Sequence, residues 1–459
     1  MSVFSLSNLK KTWYYLQKNG IRNAVWAVLE RIGQEQEVYT WQEPDEKTLS
    51  FQREHSASLR ISIVVPAYRT KKEHLEAMLN SVSKQSYPHW ELIVADAGGT
   101  AESVQAWAKK NGICLRKAAD ASNLAEWKDQ SIMLCTLSEN KGISANTNAG
   151  IELAAGDAVG LLDHDDLLTA NALWEMADCL EKEKKRGKQK LVLFSDEDKC
   201  DGAASCFYEP NFKPDFDGEL LLTNNYICHF TVIETAFLKE LKLRSGFDGA
   251  QDYDLMLRAY AAGGQFVHVP KVLYHWRCHE ASTASNPQSK RYAYEAGQRA
   301  LEDYCLRKGW KATVSGLKHL GFYREDYEDS VFCQRPEIGI WAKPLPGGRD
   351  IFGIRHPKGF LVSGLYENDG LMRYAGLRKG YSGPMHRAAL QQSAPAADLR
   401  SMEVCSALKE RYAQTIAELK EACQGLPTAA QEKKILQKSM EFCKEATAAG
   451  YGILWDPQG

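Results

Sequence analysis

The sequence lacks two features that would assign it to a broad class of protein. No C-x-x-C pair occurs among the 12 cysteines, which fits neither a zinc ribbon nor a disulfide framework. Neither sign of charge dominates, because 57 Lys and Arg residues stand against 59 Asp and Glu residues and the formal net charge is −2. This balance argues against a nucleic-acid binder that works through bulk positive charge.

Long apolar runs are also missing. No stretch reaches the roughly 18 to 20 consecutive apolar residues that a membrane-spanning helix needs, and Lys10 and Lys11 interrupt the place where the apolar core of a signal peptide would run. With 44% hydrophobic and 25% charged residues, the composition is that of an ordinary globular protein. We therefore expect a cytoplasmic protein whose cysteines are small buried apolar residues.

What is present begins with residues 1–58, which carry apolar side chains near helical spacing with Lys and Arg residues between them. This pattern predicts one or two amphipathic helices. They would either pack against the rest of the protein or, in the alternative interpretation, lie peripherally on an anionic membrane.

From Leu59 onward, short β-rich runs alternate with helical patterns. Strands are predicted at 61–65, 91–95, 131–135, 158–162 and 191–194, and helices at 73–83, 144–154 and 170–183. This alternation predicts an α/β fold with a mainly parallel sheet covered by helices on both faces. Ligands of such sheets bind beyond the carboxyl ends of the strands, so the residues at those ends are candidates for the site.

Proline and glycine become frequent after Arg324, which predicts a domain junction there. The predicted units are therefore 1–58, 59–325 and 326–459. A faint repeat aligns residues 251–270 with 438–457, and Ser439 stands in the second copy where the first has Asp252.

The first two predicted strands end in small or polar residues. Pro66, Ala67 and Tyr68 follow the first strand, and Asp96 follows the second. A loop backbone at this edge can approach a planar base, and a carboxylate can accept its N–H group. The alternative is a pair of ordinary strand-to-helix turns.

A D-x-D triplet formed by Asp163 and Asp165 follows the strand at 158–162. Carboxylate oxygens are the ligands that Mg²⁺ or Mn²⁺ prefers, and such an ion can also hold a diphosphate. Three other D-x-D triplets begin at Asp196, Asp215 and Asp252. The copy at Asp163 is the one that directly follows an apolar strand and precedes a helix, predicted from Leu168 onward.

Lys141 and Asn146 lie where a glycine turn enters a predicted helix, a setting that suits an anion or a ribose, unless it is a plain helix start capped by Ser144. Asp252 and Asp254 open another amphipathic helix. Both carboxylates can stabilise the helix dipole, but Asp252 can also serve as a general base, whereas Asp254 faces elsewhere and is expected to be structural.

His275, Arg277 and His279 follow a short strand predicted to end at Tyr274. A neutral imidazole can supply a metal ligand, and a guanidinium can clamp phosphate oxygens. The alternative is that these side chains have purely structural partners.

Six motifs in this order resemble the nucleotide-sugar glycosyltransferases of family 2. They are V-V-P-A-Y, W-E-L-I-V-A-D-A-G-G, E-N-K-G-I-S-A-N-T-N-A-G, L-L-D-H-D-D, G-A-Q-D-Y-D-L-M-L-R and L-Y-H-W-R-C-H. The resemblance covers residues 59–325 and implies the GT-A fold, a Rossmann-like arrangement with a mainly parallel central sheet. Within the family, the sequence is most similar to bacterial transferases of O-antigen, rhamnan and other surface polysaccharides.

The resemblance implies a role for each candidate. Asp252 would be the catalytic base, and Asp165, Asp163 and His275 would hold Mg²⁺ or Mn²⁺, with Asp165 as the direct ligand. Donor-binding residues would be Pro66, Ala67, Tyr68, Asp96, Lys141, Asn146, Asp163 and Arg277. Acceptor-side candidates would be Asp196, Asn224, Asn225 and Tyr226. Two departures from the family pattern, Ala97 after Asp96 and Gln251 before Asp252, leave both carboxylates in place.

The implied activity is metal-dependent, inverting transfer of a sugar from a nucleoside-diphosphate sugar to a hydroxyl of a growing, lipid-linked saccharide. Uridine is the default base and thymidine the alternative. Residues 326–459 resemble half of a second module without a base or a strand-borne D-x-D, so we expect a degenerate, non-catalytic domain. A catalytically silent subunit of a polysaccharide assembly complex stays open. Nucleotidyl transfer is disfavoured, because the loop A-Y-R-T-K-K-E contains no glycine.

Overall fold

The fold was analysed in a computed structural model that describes residues 39–118, 128–278, 291–316 and 320–328, together with 331–336, 338–342, 402–422, 452–455 and five single residues between 438 and 449. The helices predicted before residue 39 and most of the predicted 326–459 unit lie outside the described residues. The domain boundaries therefore stay predictions.

The described strands are β1 (Ile61–Ala67), β2 (Trp90–Asp96), β3 (Cys114–Lys117), β4 (Ser131–Thr136), β5 (Ala158–Leu161), β6 (Leu167–Leu168), β7 (Leu191–Cys200), β8 (Phe207–Asn211), β9 (Thr231–Glu234), β10 (Gln265–Arg277), β11 (Ala312–Gly316), β12 (Tyr323–Tyr327), β13 (Ile338–Ala342), β14 (Met402–Val404) and β15 (Gly452–Trp455). The described helices are α1 (Glu46–Glu54), α2 (Lys72–Ser83), α3 (Ala101–Asn111), α4 (Ile143–Leu153), α5 (Ala172–Lys185), α6 (Gly218–Thr223), α7 (Thr235–Leu241), α8 (Gln251–Ala261), α9 (Arg291–Arg307), α10 (Val331–Gln334), α11 (Ser406–Arg411) and α12 (Ala413–Ala422).

In the described part of the chain, ten strands form one sheet in the order β3-β4-β2-β1-β5-β9-β7-β10-β6, with β8 paired to β7. Strands β3, β4, β2, β1 and β5 are all parallel, and β7 is parallel to β10. Strand β9 runs antiparallel between β5 and β7. The predicted α/β fold with a mainly parallel sheet is confirmed.

Two hydrophobic cores explain why the first strands form where they do. Along β1, Ile61, Ile63 and Val65 pack into one core with helices α2, α3 and α5, whereas Val64 packs into the other with α4, α7, α8 and α9. Successive side chains of a strand point to opposite faces, so a strand covered on both sides needs a continuous apolar run. The helices lie on both faces, as predicted.

Most elements differ from their predicted bounds by one or two residues, so that Pro66 and Ala67 belong to β1 and Asp96 belongs to β2. Three elements differ by more. Strand β7 continues six residues beyond the predicted end, through S-D-E-D-K-C, and β10 spans thirteen residues instead of ending at Tyr274. The two strands pair in parallel from Gln265 with Leu191 to Arg277 with Cys200. The helix predicted from Leu168 begins at Ala172, because Leu168 belongs to β6 and pairs with β10. His275 and Arg277 are thus part of a strand.

The carboxyl ends of β1, β2 and β5 meet at one edge of the sheet. The amide of Ala97 donates to the carbonyl of Ala67 at 2.8 Å, and the amide of Leu162 donates to the carbonyl of Val64 at 3.2 Å. The loops that follow these strands are therefore neighbours. Among the described helices, none combines the length and the apolar character needed to cross a bilayer.

Candidate active site

The loops after β1 and β2 present an aromatic ring beside exposed backbone. Tyr68 is 39% exposed, and its ring lies over Gly98, where an added Cβ would come 3.6 Å from Tyr68 Cε2. The guanidinium of Arg69 lies 5.0 Å from the centre of the Tyr68 ring. An exposed ring next to a glycine backbone is a platform on which a planar group can stack.

The second of these loops is organised by Asp96, which is buried. Its carboxylate accepts hydrogen bonds from the amides of Gly98 at 3.0 Å, Thr100 at 3.2 Å and Ala101 at 2.9 Å. These bonds shape the turn and satisfy the free amides at the start of α3. Asp96 thus has a structural role at the predicted edge, and its contact with a base stays a prediction.

The loop after β5 gathers acidic side chains. Asp163 and Asp165 keep 46% and 24% of their side-chain surface exposed. Loss of hydration in this cleft raises the pKa of Asp163, and the charges of Asp165 and Asp252 raise it further against the opposing effect of His229. Asp252 starts α8, far along the chain, so the fold brings the predicted base into electrostatic contact with the D-x-D pair.

Asp252 lies in the first turn of α8 and is held by Asn225, whose Nδ2 donates to its Oδ2 at 2.7 Å. The side-chain oxygens of Asn224 and Asn225 are buried without a hydrogen-bond partner among the described residues. Asp254 is buried and pairs with Arg258 at 2.9 Å, which agrees with the expected structural role. Asn225 therefore orients the predicted base.

Asp166 and Tyr274, which the sequence analysis did not single out, fix the acidic loop to β10. The hydroxyl of Tyr274 donates to buried Asp166 at 2.6 Å, and the amide of Arg277 donates to the same carboxylate at 2.7 Å. Burial, together with the charges of Asp165 and Asp163, raises the pKa of Asp166 well above its ordinary value. Asp166 is the structural acid of this loop, which leaves Asp163 and Asp165 to face the cleft.

Arg277 reaches the same loop with its side chain. Its Nε donates to the carbonyl of Asp165 at 2.5 Å, and its Nη1 donates to the carbonyl of Gly202 at 2.7 Å. Its Nη2 is buried and has no hydrogen-bond partner among the described residues. A buried cationic donor without a partner is costly, so an acceptor at this position would be strongly favoured.

Besides His164, which lies within the triplet and 3.9 Å from Asp165, the D-x-D pair has a histidine neighbour from a distant part of the chain, His229. Its Nδ1 lies 3.2 Å from Oε2 of Glu197, and its Nε2 lies 3.9 Å from Oδ2 of Asp163. Burial opposes the charged ring, but the hydrogen bond to Glu197 and the charges of Glu197 and Asp163 raise the pKa of His229 to about 9. Burial also opposes ionisation of Glu197, yet Lys213 and His229 lower its pKa to about 2.

Residues 62–240 match the family model described as Glycosyl transferase family 2. This segment of the chain is therefore similar to glycosyl transferase family 2. The chain is 37% identical over 256 residues to an uncharacterized protein of Sinorhizobium fredii, a match that covers 55% of this chain and 26% of the relative. It is 34% identical over 256 residues to the O-antigen biosynthesis protein RfbC of Myxococcus xanthus, covering 56% of this chain and 19% of the relative. The chain thus spans about a quarter or less of the length of these two relatives.

Among solved structures, residues 1–349 of S. aureus TarS in complex with UDP align with this chain at 19% identity and a TM-score of 0.39. The alignment covers 54% of this chain and 66% of that chain.

The prediction that His275 reaches the metal is not supported by the geometry of the site. His275 Nδ1 lies 2.5 Å from Asp198, and its ring lies 4.9 Å from the Trp41 ring and 4.3 Å from the Phe207 ring. These three contacts account for the position of the His275 ring, whereas its neighbour Tyr274 donates to Asp166 of the acidic loop. His229, which the sequence analysis passed over, lies beside Asp163 instead.

Two acceptor-side candidates belong to the protein interior. Asp196 is fully buried and accepts from the amide of Lys213 and from Nε2 of His268, both at 2.8 Å. Tyr226 is buried in the core, where its ring contacts Phe194 and its hydroxyl accepts from a main-chain amide at 2.9 Å. Both residues are therefore structural, because neither offers a free polar group to a substrate. Asn224 is buried too, and Asn225 is the candidate that lies beside Asp252.

The glycine turn before α4 is held by Asn146, whose Oδ1 accepts from the amide of Lys141 at 3.4 Å and whose Nδ2 donates to Asn140 at 2.8 Å. Lys141 is exposed and pairs with Glu139 at 3.1 Å. The alternative of a helix start capped by Ser144 does not hold, since Gly142 is the N-cap residue and the carboxylate of Asp248 accepts from the Ser144 amide at 3.3 Å. Asn146 thus shapes the turn, and a contact of Lys141 or Asn146 with the donor stays a prediction.

The acidic edge suits a divalent cation that shares its ligands with a substrate. In the described parts of the chain, no three His, Cys, Asp or Glu side chains converge to form a complete site. Mg²⁺ and Mn²⁺ commonly use one or two carboxylates and complete their shell with water and substrate phosphates. Asp163 and Asp165 provide such a pair, and a cation would offset the loss of hydration and the repulsion from Asp165 that together raise the pKa of Asp163.

Proposed function

We propose that this protein transfers a sugar from a nucleoside-diphosphate sugar to a hydroxyl group of a saccharide. The observation that supports this most directly is that the charges of Asp165 and of the distant Asp252 both act on Asp163, in the loop after β5. A second is the unpartnered Nη2 of Arg277 beside the same loop. Carboxylates for a base and a cation, next to a free guanidinium N–H, are what transfer from a diphosphate leaving group requires.

Asp252 is the proposed general base. It takes the proton of the acceptor hydroxyl while that oxygen attacks the anomeric carbon from the face opposite the diphosphate. The bond between the anomeric carbon and the diphosphate oxygen breaks, its electron pair leaves with the nucleoside diphosphate, and the configuration inverts. Asn225 keeps the Asp252 carboxylate oriented through its 2.7 Å hydrogen bond, and base assistance of this kind contributes typically about 10²- to 10⁴-fold.

The donor is proposed to lie along the edge formed by β1, β2 and β5. Its base would stack near Tyr68, and Arg277 Nη2 would donate to an oxygen of its diphosphate. Mg²⁺ or Mn²⁺ on Asp165 and Asp163 would neutralise the charge that develops on the leaving group. Uridine is the proposed default base and thymidine the alternative, both from the family resemblance.

The biological substrate class is proposed from the relatives. An O-antigen biosynthesis protein among them favours a bacterial surface polysaccharide as product and a lipid-linked saccharide as acceptor. We place the reaction in the cytoplasm or peripherally at the inner face of the plasma membrane. Residues 326–459 are proposed to form a non-catalytic domain.

A donor-consumption assay tests this function. The protein is incubated with a panel of UDP- and dTDP-sugars and Mn²⁺, with and without a lipid-linked saccharide fraction, and free nucleoside diphosphate is measured. Release that depends on one sugar nucleotide and rises with acceptor supports the proposal. Silence with every donor, in a preparation that binds them, assigns the chain to a binding role in an assembly complex.

A further inference from the structure

A chain of buried charged groups leads from the interior of the fold into the cleft, and the proposed mechanism does not use it. Lys213 has no exposed side-chain surface, and its Nζ lies 3.4 Å from Glu197 and 2.5 Å from the carbonyl of Ile227. Glu197 in turn holds His229 and accepts from Asn211 at 3.0 Å. These interactions fix one histidine at the rim of the acidic loop.

The orientation of the His229 ring is fixed on two sides. Glu197 occupies Nδ1, and the ring stacks on Tyr274 with the centroids 4.7 Å apart and the planes at 12°. Tyr274 is itself held by Asp166. A ring pinned in this way cannot turn freely, so Nε2 is the nitrogen that remains for another partner.

That nitrogen points toward the D-x-D pair without forming a hydrogen bond to it. His229 Nε2 lies 3.9 Å from Asp163 Oδ2, and the two side chains keep 23% and 46% of their surface exposed. The distance exceeds that of a hydrogen bond. Both groups therefore border the same open space, in which a third group can contact each of them.

We propose that His229 binds the diphosphate of the sugar donor through its Nε2. This inference rests on the proposed function and names a donor-binding residue for it. Because Glu197 occupies Nδ1 and Tyr274 fixes the plane of the ring, Nε2 is the ring nitrogen that can contact a phosphate oxygen.

The charge balance of the cleft explains why such a contact is needed. Asp163, Asp165 and Asp252 repel a diphosphate, and a single cation on the D-x-D pair offsets only part of that repulsion. Glu197 alone would add to the negative charge, but buried Lys213 neutralises it. Arg277 contributes a positive charge beside the Asp165 carbonyl, and Nε2 of His229 offers a polar contact that adds no negative charge.

Two substitutions test the contributions of the two ring nitrogens separately. His229→Asn keeps an amide near the position of Nδ1, so it can still contact Glu197, and it removes Nε2. His229→Gln keeps an amide near the position of Nε2 and gives up the contact with Glu197. The matched control is His89→Asn, because His89 also pairs with a carboxylate, Asp129 at 3.0 Å, and lies at the opposite, amino-terminal end of β2.

Calorimetric titrations with UDP, dTDP and uridine in the presence of Mn²⁺ provide the readout. We expect His229→Asn to bind the diphosphates roughly ten- to hundredfold more weakly and uridine with unchanged affinity, since one hydrogen bond to a charged group is lost. His229→Gln should recover part of the diphosphate affinity. His89→Asn should bind like the wild type.

Three results would overturn the proposal while the proposed function stands. One is wild-type diphosphate affinity in His229→Asn. Another is an equal loss for UDP and uridine, which would mark a structural role. The third is a loss of Mn²⁺ binding without nucleotide, followed by electron paramagnetic resonance, which would make His229 a metal ligand. A wild-type protein that binds no nucleoside diphosphate at all would reject the proposed function itself, and this inference with it.

Discussion

Arg277→Lys tests how the diphosphate is held. Arg277 is a buried residue with two of its nitrogens committed to the carbonyls of Asp165 and Gly202 and a third without a partner in the described chain. A lysine keeps the charge but offers one ammonium group in place of a planar fork. It can replace one of the two carbonyl contacts and cannot also reach the place of Nη2.

The expected effects follow from this count. A hydrogen bond to a charged group contributes about 1.5 to 3 kcal/mol. Gly202 is exposed, so its carbonyl can bind water once the contact with residue 277 is lost. The free energy of unfolding should therefore fall by only about 1 to 2 kcal/mol. The main-chain bond from residue 277 to Asp166 is unaffected by the substitution. Diphosphate affinity should fall by about tenfold or more, because the donor loses a charge-assisted hydrogen bond.

Urea denaturation measures the first effect, and calorimetric titration with UDP and Mn²⁺ measures the second. Arg244→Lys is the matched control, because Arg244 also contacts two acceptors, Asp254 of α8 and Asp303 of α9. It should lower stability and leave UDP affinity unchanged. If Arg277→Lys binds UDP as tightly as the wild type, Nη2 does not face the diphosphate and the proposed donor position is wrong.

Three further outcomes are expected. Asp252→Asn should lower the rate of donor turnover by about 10²- to 10⁴-fold. Calorimetry should show unchanged donor binding, since the amide oxygen can still accept from Asn225. Full turnover would remove Asp252 from the role of base. Gly156→Ala should destabilise the fold by about 1 to 3 kcal/mol, because its Cβ would lie 2.7 Å from a main-chain carbonyl oxygen and 2.8 Å from a main-chain amide. The control in the same melting experiment is Gly246→Ala, whose Cβ would meet nothing within 4 Å. Equal melting temperatures for the two variants would contradict the reasoning. The pKa of His229 is raised in the fold from 6.5 to about 9, so its contribution to stability is complete below pH 6.5 and is lost as pH rises through about 9. Denaturation at several pH values should show this decline in the wild type and a flatter profile in His229→Gln. Identical profiles for the two proteins would refute this expectation.

The first half of the sheet could be predicted from the sequence because its strands are covered on both faces. Strands β1, β2, β4 and β5 appear in the sequence as apolar runs, and the acidic residues that follow them mark the edge where a ligand can bind. The position of Asp163 directly after β5 was therefore informative. The convergence of Asp163 and Asp252 was also expected, from the family resemblance.

The second half could not be predicted in the same way, because its charged residues are compensated by partners distant in sequence. His229 reaches Asp163 only because β9 inserts antiparallel between β5 and β7, and no local pattern in N-Y-I-C-H-F announces that arrangement. Asp196, at the acidic end of β7, was likewise predicted from the family resemblance to lie on the acceptor side, because no local pattern shows that its partners are distant in sequence. Apolar periodicity indicates which residues are buried, but it carries no information about which buried charges pair.

Strand β7 supplies a separate carboxylate to each of three histidines. Consecutive residues Asp196, Glu197 and Asp198 contact His268, His229 and His275, respectively. Before β9 and β10 join the sheet, these three carboxylates lack their histidine partners. Burying them by hydrophobic collapse alone would leave three carboxylates in an apolar interior without these partners. A truncated polypeptide that stops short of β10 would therefore leave Asp196 and Asp198 without their histidine partners.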